Sequence, residues 1–218
     1  MAKKQEEKSK RSKKYQKAVE AVEKGKAYPL KEAVDLAKQS SYTKFNGTLE
    51  LHINTSQKGI RGLVTMPYSA GKNLRILAFG KGAEDSGADI VGNEETIEEI
   101  NKGKINFDVV VTTSEWMPKL AKVARILGPR GLMPNPKNGT ITENLAKTVA
   151  DLQGGKTEYK TEANGQVIHI AVGKVIQPTD EVSANVKALQ MVLGKSRVKK
   201  LVISPTMGAG VKINPASI

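Results

Sequence analysis

The side chains that could do chemistry in this chain are few, and most of them point away from catalysis. His52 and His169 are the two histidines and cysteine is absent. Disulfide frameworks and thiolate metal sites are therefore excluded, and a zinc site would have to be completed by carboxylates. His169 lies in an alternating segment with no serine or cysteine nucleophile identifiable nearby. A polar contact to RNA or a satisfied, half-buried histidine fits it better than a general base. Glu94, Glu95, Glu98 and Glu99 form an acidic cluster, which first-turn and solvent-facing positions on a helix explain without a metal. No metal and no cofactor are expected.

Two glycine-lysine fragments invite a nucleotide reading. Gly80-Lys81-Gly82 follows an apolar segment ending at Phe79 and begins like a dinucleotide fingerprint. The third glycine would fall at Asp85, a carboxylate where a pyrophosphate should sit. Ala70-Gly71-Lys72-Asn73 resembles a P-loop, but the earlier glycine is missing and Asn73 replaces the magnesium-binding hydroxyl. On these fragments rests the rival reading, a cytosolic Rossmann-type nucleotide-binding enzyme with basic RNA-binding appendages.

Charge is more informative than any single residue. The chain has 35 Lys and Arg against 22 Asp and Glu, a surplus of 13, which favours polyanionic partners. Residues 1–61 contribute 15 basic and 7 acidic groups, residues 62–151 contribute 11 of each, and residues 152–218 contribute 9 and 4. The surplus thus lies at the two ends, around a neutral middle, as if separate domains had separate tasks. No apolar run approaches a membrane span. The polar N-terminus, with Glu6 and Glu7, suits neither a secretory signal nor a transit peptide, so the cytoplasm is expected.

The elements that would carry these residues follow from periodicity. Lys3 to Lys17 reads as a basic arm leading into a helix around 15–25 closed by Gly25. Pro29 opens a second helix, with Leu30, Ala33, Val34 and Ala37 on one face. After Asn46-Gly47, Leu49, Leu51 and Ile53 alternate with polar residues as in a half-buried strand. Ile168, Ile170 and Val172 repeat that pattern. Thr179 is placed to cap a helix burying Val182, Val186, Leu189 and Leu193, and a last strand runs through Leu201-Val202-Ile203. Neither end has apolar surface enough for its own core, so together they predict a small antiparallel sheet covered by helices on one face. The middle alternates differently. Strands at 74–79, 89–91 and 109–111, with helices near 83–87, 94–102 and 116–127, predict a parallel, Rossmann-like sheet.

The most unusual segment is Gly128-Pro129-Arg130-Gly131-Leu132-Met133-Pro134-Asn135-Pro136-Lys137, followed by Gly139-Thr140. Its prolines restrict φ and its glycines relax it, so a connection with a defined path is expected, not a floppy linker. It serves either as a stiff crossover to a helix starting near Thr142 or as a loop making interdomain or direct RNA contact through Arg130, Gly131 and Lys137. The segment resembles the signature of the large-subunit ribosomal protein L-one family. Other pieces agree in order: Lys44-Phe45, Arg61-Gly62, Gly87-Ala88-Asp89, Phe107-Asp108, Ile168-His169, Gly173-Lys174 and Thr206-Met207-Gly208. Thr-Met-Gly is followed here by Ala209-Gly210 where the family usually has Pro-Gly. Tyr68-Ser69-Ala70 stands where His-Gly-Thr or a similar triplet is common.

The resemblance implies an α/β protein of two domains. Residues 1–67 and 154–218 would form domain I, an RNA-binding split β-α-β-like sheet with helices on one face. Residues 68–153 would form domain II, an inserted Rossmann-like three-layer α/β domain. It further implies a non-enzymatic constituent of the large ribosomal subunit, monomeric within the ribosome. Its partners would be the stalk helices of rRNA, exit-site tRNA and its own messenger, with no membrane and no small-molecule substrate. The implied rRNA-binding residues are Lys44, Phe45, Thr48, Lys160, His169, Lys174, Ser204, Thr206, Met207 and Gly208. The chemistry suits an RNA minor groove, read by hydroxyls and close backbone approach. Aromatic residues are only 4% of the chain, too few for stacking many unpaired bases. A core position beside the strand is the other reading of Phe45.

Overall fold

The computed structural model describes residues 12–23, 25–70 and 74–218. In chain order the elements are α1 (Lys13–Glu20), β1 (Ala27–Tyr28), α2 (Leu30–Ser40), β2 (Thr48–Thr55), β3 (Arg61–Thr65), β4 (Ile76–Phe79), β5 (Ile90–Gly92), α3 (Glu94–Asn101) and β6 (Val109–Thr112). They continue with α4 (Met117–Leu120), α5 (Ala124–Leu127), α6 (Leu145–Gln153), β7 (Lys156–Lys160), β8 (Val167–Lys174), α7 (Thr179–Leu193), β9 (Val198–Pro205) and β10 (Val211–Ile213). The architecture is mixed α/β. The chain divides into two compact units, one of Met1–Ile60 with Thr161–Ile218, the other of Arg61–Lys160. The first unit has 21 basic and 10 acidic residues, a surplus of 11 out of the chain's 13.

The first unit is built on a five-stranded sheet in the order β1-β10-β9-β2-β8. Every pairing is antiparallel except the parallel β1–β10 pair. β9 is central, and β2 is an interior strand between β9 and the edge strand β8. Period-two alternation sends Leu49, Leu51 and Ile53 to one face with Ile168, Ile170, Val172, Leu201 and Ile203, all at most 5% exposed. α2 and α7 pack together on that side. α2 buries Leu30, Ala33, Val34 and Ala37, and α7 buries Val182, Val186, Leu189 and Leu193. Each of these leucines and valines contributes about 1.5–3 kcal/mol by leaving water. The alternate residues, including Thr48, Glu50, His52, Ala171, Val202 and Ser204, are only partly buried, and His169, Lys200 and Lys212 are exposed.

Several local expectations shift. α1 begins at Lys13, where Ser12 caps it by accepting from the Tyr15 N–H, and it ends before Gly25. The basic stretch before residue 12 lies outside the described residues. Thr179 is the first residue of α7 rather than its cap, which is Pro178. Its hydroxyl instead bonds Asp35 and Lys38 of α2, and Lys38 Nζ also donates to the Gln177 carbonyl. Desolvation there holds the Lys38 ammonium below its usual range, with Asp35 and Glu181 opposing that shift.

In the second unit, β4 lies between β5 and β6 in a parallel sheet. All four residues of β4 are buried, and they alternate between two cores. Leu77 and Phe79 pack with Ile100, Val110, Leu120, Val123 and Leu127. Ile76 and Ala78 pack with Val111, Leu145 and Val149. The sheet is therefore covered on both faces, as parallel sheets require. The helix expected over 116–127 is segmented into α4, α5 and short 3-10 turns, with Pro118 near its start. β3 and β7, unforeseen in the sequence, pair from Arg61↔Lys160 to Thr65↔Lys156. This pair belongs to the second unit, so its joins fall at 60/61 and 160/161, where the sequence reading puts them at 67/68 and 153/154.

Candidate nucleic-acid interface

One end of the open sheet face gathers most of the residues singled out in the first unit. Thr48 stands opposite Lys174, Leu49 opposite Pro205, and Glu50 opposite Ser204. The ladder extends one residue beyond β9, because the Thr206 N–H donates to the Thr48 carbonyl at 3.0 Å. The Thr206 hydroxyl lies 2.6 Å from Glu50 Oε1 and 3.3 Å from the Thr48 carbonyl. Lys174 Nζ donates to Thr48 Oγ1 at 2.7 Å. Ser204 Oγ donates to the Pro205 carbonyl.

Just outside this cluster the chain exposes apolar surface. Phe45 is 69% exposed and Met207 44%, so Phe45 is not a core aromatic. Lys44 is exposed beside it, and the Phe45 carbonyl accepts from Thr43 Oγ1. Gly208 has a role that the sequence reading did not give it. A Cβ there would meet the Ser40 carbonyl at 2.8 Å and Ser40 Oγ at 3.0 Å, with Pro205 Cγ nearer still. The close approach that glycine permits is thus with its own chain. Ser40 Oγ also accepts from the Ala209 N–H at 3.3 Å, a bond that proline at 209 could not make.

Farther along the face runs a cross-strand row of Lys212, Val202, His52 and His169. The two imidazoles are edge to face with Nδ1 atoms 2.6 Å apart, so one must donate to the other. His169 Nε2 lies 3.1 Å from Glu162 Oε1. Burial holds His52 below the usual histidine range, the neighbouring His169 adds to this, and Glu50 opposes it. His169 is therefore held by His52 and Glu162.

The remaining residues lie in the second unit. Lys160 ends β7 opposite Arg61. The 128–140 segment has a fixed path, as its prolines and glycines suggest. Leu132 and Met133 pack on the sheet's core, Gly131 and Gly139 take φ of +71° and +68°, and Asn135 bonds both Thr140 and Lys137. The Thr112 N–H donates to the Thr140 carbonyl, and the Thr142 N–H donates back to Thr112, which continues the sheet alongside β6. Arg130 and Lys137 are left exposed. The other chemical fragments are local structure. Gly80-Lys81-Gly82 leads only to a three-residue 3-10 turn containing Glu84 and Asp85, so no long helix aims its N-terminus at a phosphate there. Gly71, Lys72 and Asn73 lie outside the described residues. Glu94 and Glu95 open α3 behind an Asn93 capping box, and Glu94 pairs with Lys119 at 2.7 Å. The hydrogen bond and charge of Lys119 hold the Glu94 carboxyl below its usual range.

Sequence reasoning puts Glu50 and His52 on the polar side of the strand with Thr48, opposite Leu49, Leu51 and Ile53, but does not count either among the binding residues.

A sheet with one open, hydroxyl-bearing face, in the unit that holds most of the surplus charge, defines a protein that grips a polyanion. The chain matches the model of the Ribosomal protein L1p/L10e family over residues 5–209. It is 39% identical to the large ribosomal subunit protein uL1 of Macrococcus caseolyticus, over 96% of this chain and 99% of the other. For proteins of the same name, identity is 40% in Phytoplasma australiense, over 96% and 99%, and 41% in Thermosipho melanesiensis, over 96% and 98%. The chain belongs to the ribosomal protein L1p/L10e family, whose members are structural RNA-binding proteins and not enzymes.

Proposed function

We propose that this chain is a constituent of the large ribosomal subunit in the cytoplasm, and that its first unit holds the stalk helices of rRNA. The observation that carries this is the cluster of Thr48, Lys174, Ser204 and Thr206, flanked by exposed Phe45 and Met207, on the open face of the basic unit. Hydroxyls, an ammonium and apolar edges in a shallow array match a minor groove, where shape and 2′-hydroxyls are read. Lys44 supplies phosphate attraction. Arg130, Gly131 and Lys137 would make a second contact from the other unit, and Lys160 is a further candidate there. His169, tied to His52 and Glu162, is a weaker candidate than the Thr206 cluster.

By the same reading the stalk assists release of deacylated tRNA from the exit site, and the chain represses its own messenger through a site that resembles the rRNA one. Family membership at about 40% identity over nearly the full length of the relatives supports this. Sedimentation of the native protein tests it. The chain should travel with large subunits, and Thr206→Val should weaken its affinity for a stalk RNA fragment by roughly 1–3 kcal/mol, about one well-made contact. Unchanged affinity would remove Thr206 from the interface.

A further inference from the structure

The directions of the hydroxyl protons at the Thr206 end of the sheet say more than which residues make contact. Thr206 has one hydroxyl proton and two acceptors in reach, Glu50 Oε1 at 2.6 Å and the Thr48 carbonyl at 3.3 Å. The shorter, charge-assisted bond takes the proton. What Thr206 turns outward is therefore lone pairs, an acceptor. Thr48 is the reverse. Its hydroxyl oxygen accepts from Lys174 Nζ at 2.7 Å. An ammonium has no lone pair to receive a proton in return, and the Thr48 proton is committed to no other described group. Thr48 is left as a donor.

These two residues are joined by the backbone bond from the Thr206 N–H to the Thr48 carbonyl, so the acceptor and the donor are neighbours. A neighbouring pair of opposite polarity matches a group that both donates and accepts. The ribose 2′-hydroxyl is such a group, and deoxyribose lacks it. Glu50 is otherwise out of place. A carboxylate on a face that holds a polyanion repels phosphate; here it bonds Thr206 and lies near enough to His52 to act on its charge.

We infer that Glu50 is a positioning residue: by fixing Thr206 as an acceptor beside the Thr48–Lys174 donor, it makes this end of the sheet selective for ribose over deoxyribose. The inference rests on the RNA-binding reading of the same site and specifies what that site reads. The test measures binding of the full chain to a stalk RNA fragment, to versions of it with single 2′-deoxy substitutions, and to an unrelated duplex of RNA or DNA. The native chain should lose about tenfold in affinity at one or two deoxy positions, the scale of one hydrogen-bonded contact.

Glu50→Val, which removes the acceptor that glutamine would keep, should shrink that ratio to threefold or less. It should also bind the unrelated duplexes more tightly than the native chain does, since a negative charge has gone. Thr206→Val should abolish the ratio and Thr206→Ser should keep it. A Glu50→Val chain that weakens on every probe alike, with the ratio intact, would reduce Glu50 to a structural role and overturn the inference. If Glu50→Val does not fold, the Thr206→Val and Thr206→Ser comparison decides: equal ratios in the two overturn it. A native chain that binds the stalk RNA tightly but ignores every deoxy substitution also overturns it, and leaves the RNA-binding reading standing. A native chain that does not prefer the stalk RNA over the unrelated duplex removes that reading itself.

Discussion

Replacing Gly208 by alanine should destabilise the first unit before any RNA is added. The new Cβ would lie 2.8 Å from the Ser40 carbonyl and 3.0 Å from Ser40 Oγ, with Pro205 Cγ closer still. Ser40 is the last residue of α2 and is 1% exposed, so its carbonyl cannot swing away. Overpacking of this kind costs about 1–3 kcal/mol. If the turn moves outward instead, the bond from the Ala209 N–H to Ser40 Oγ is lost, at about 1 kcal/mol. Either route gives about 1–3 kcal/mol, or roughly 2–12 °C in Tm for a chain of this size. Thermal melting by circular dichroism reads this directly. Combining Gly208→Ala with Ser40→Gly removes the Oγ clash but leaves the carbonyl, and should restore less than half of the loss. A Gly208→Ala chain melting within 1 °C of the native one would refute the packing argument. Because of this coupling, weak RNA binding by a Gly208 variant says little about RNA contact, and Thr206 is the cleaner probe.

His52 makes stability pH-dependent. Its folded pKa lies below the ordinary 6.5, so the unfolded chain takes up the proton first. The stabilisation is fully present above pH 6.5 and declines as pH falls from there through the folded pKa. Urea midpoints measured from pH 7.5 to 5 should show this fall, and His52→Gln should flatten it. Lys174→Met should lower the salt slope of RNA affinity by about 0.7–0.9, the share of one phosphate neutralised. An unchanged slope would confine Lys174 to holding Thr48. Gly92→Ala would drive a methyl into the ring of Phe79, so chemical unfolding should show a loss of about 1–3 kcal/mol. A native-like midpoint would mean that the sheet yields there.

Much of the fold was legible because burial alone dictates it. The alternation at Leu49, Leu51 and Ile53, repeated at Ile168, Ile170 and Val172, marked both strands. The stripe of Leu30, Ala33, Val34 and Ala37 marked α2. What escaped depends on partners far along the chain. Lys156–Lys160 is charged and unremarkable until Arg61–Thr65 pairs with it. Thr179 has the chemistry of a cap, but Asp35 and Lys38 claim its hydroxyl. The site divides the same way. Thr206, Lys174 and Thr48 were marked by their resemblance to the family's residues. Glu50 escaped because a search for polyanion contacts favours positive charge, and its use lies in where the Thr206 proton goes.

The placement of β2 between β8 and β9 also sets a clock. During synthesis Thr55 emerges about 150 residues before Pro205, roughly 8–30 s at 5–20 residues per second. For about the first 120 of those residues, until Lys174 completes β8, β2 has neither neighbour, and all of Arg61–Lys160 is made in that time. Over that stretch the nascent chain carries an unpaired apolar strand. The pairing of Thr48 with Thr206 waits until β9 has been made, so RNA is gripped there only once both ends of the first unit are present.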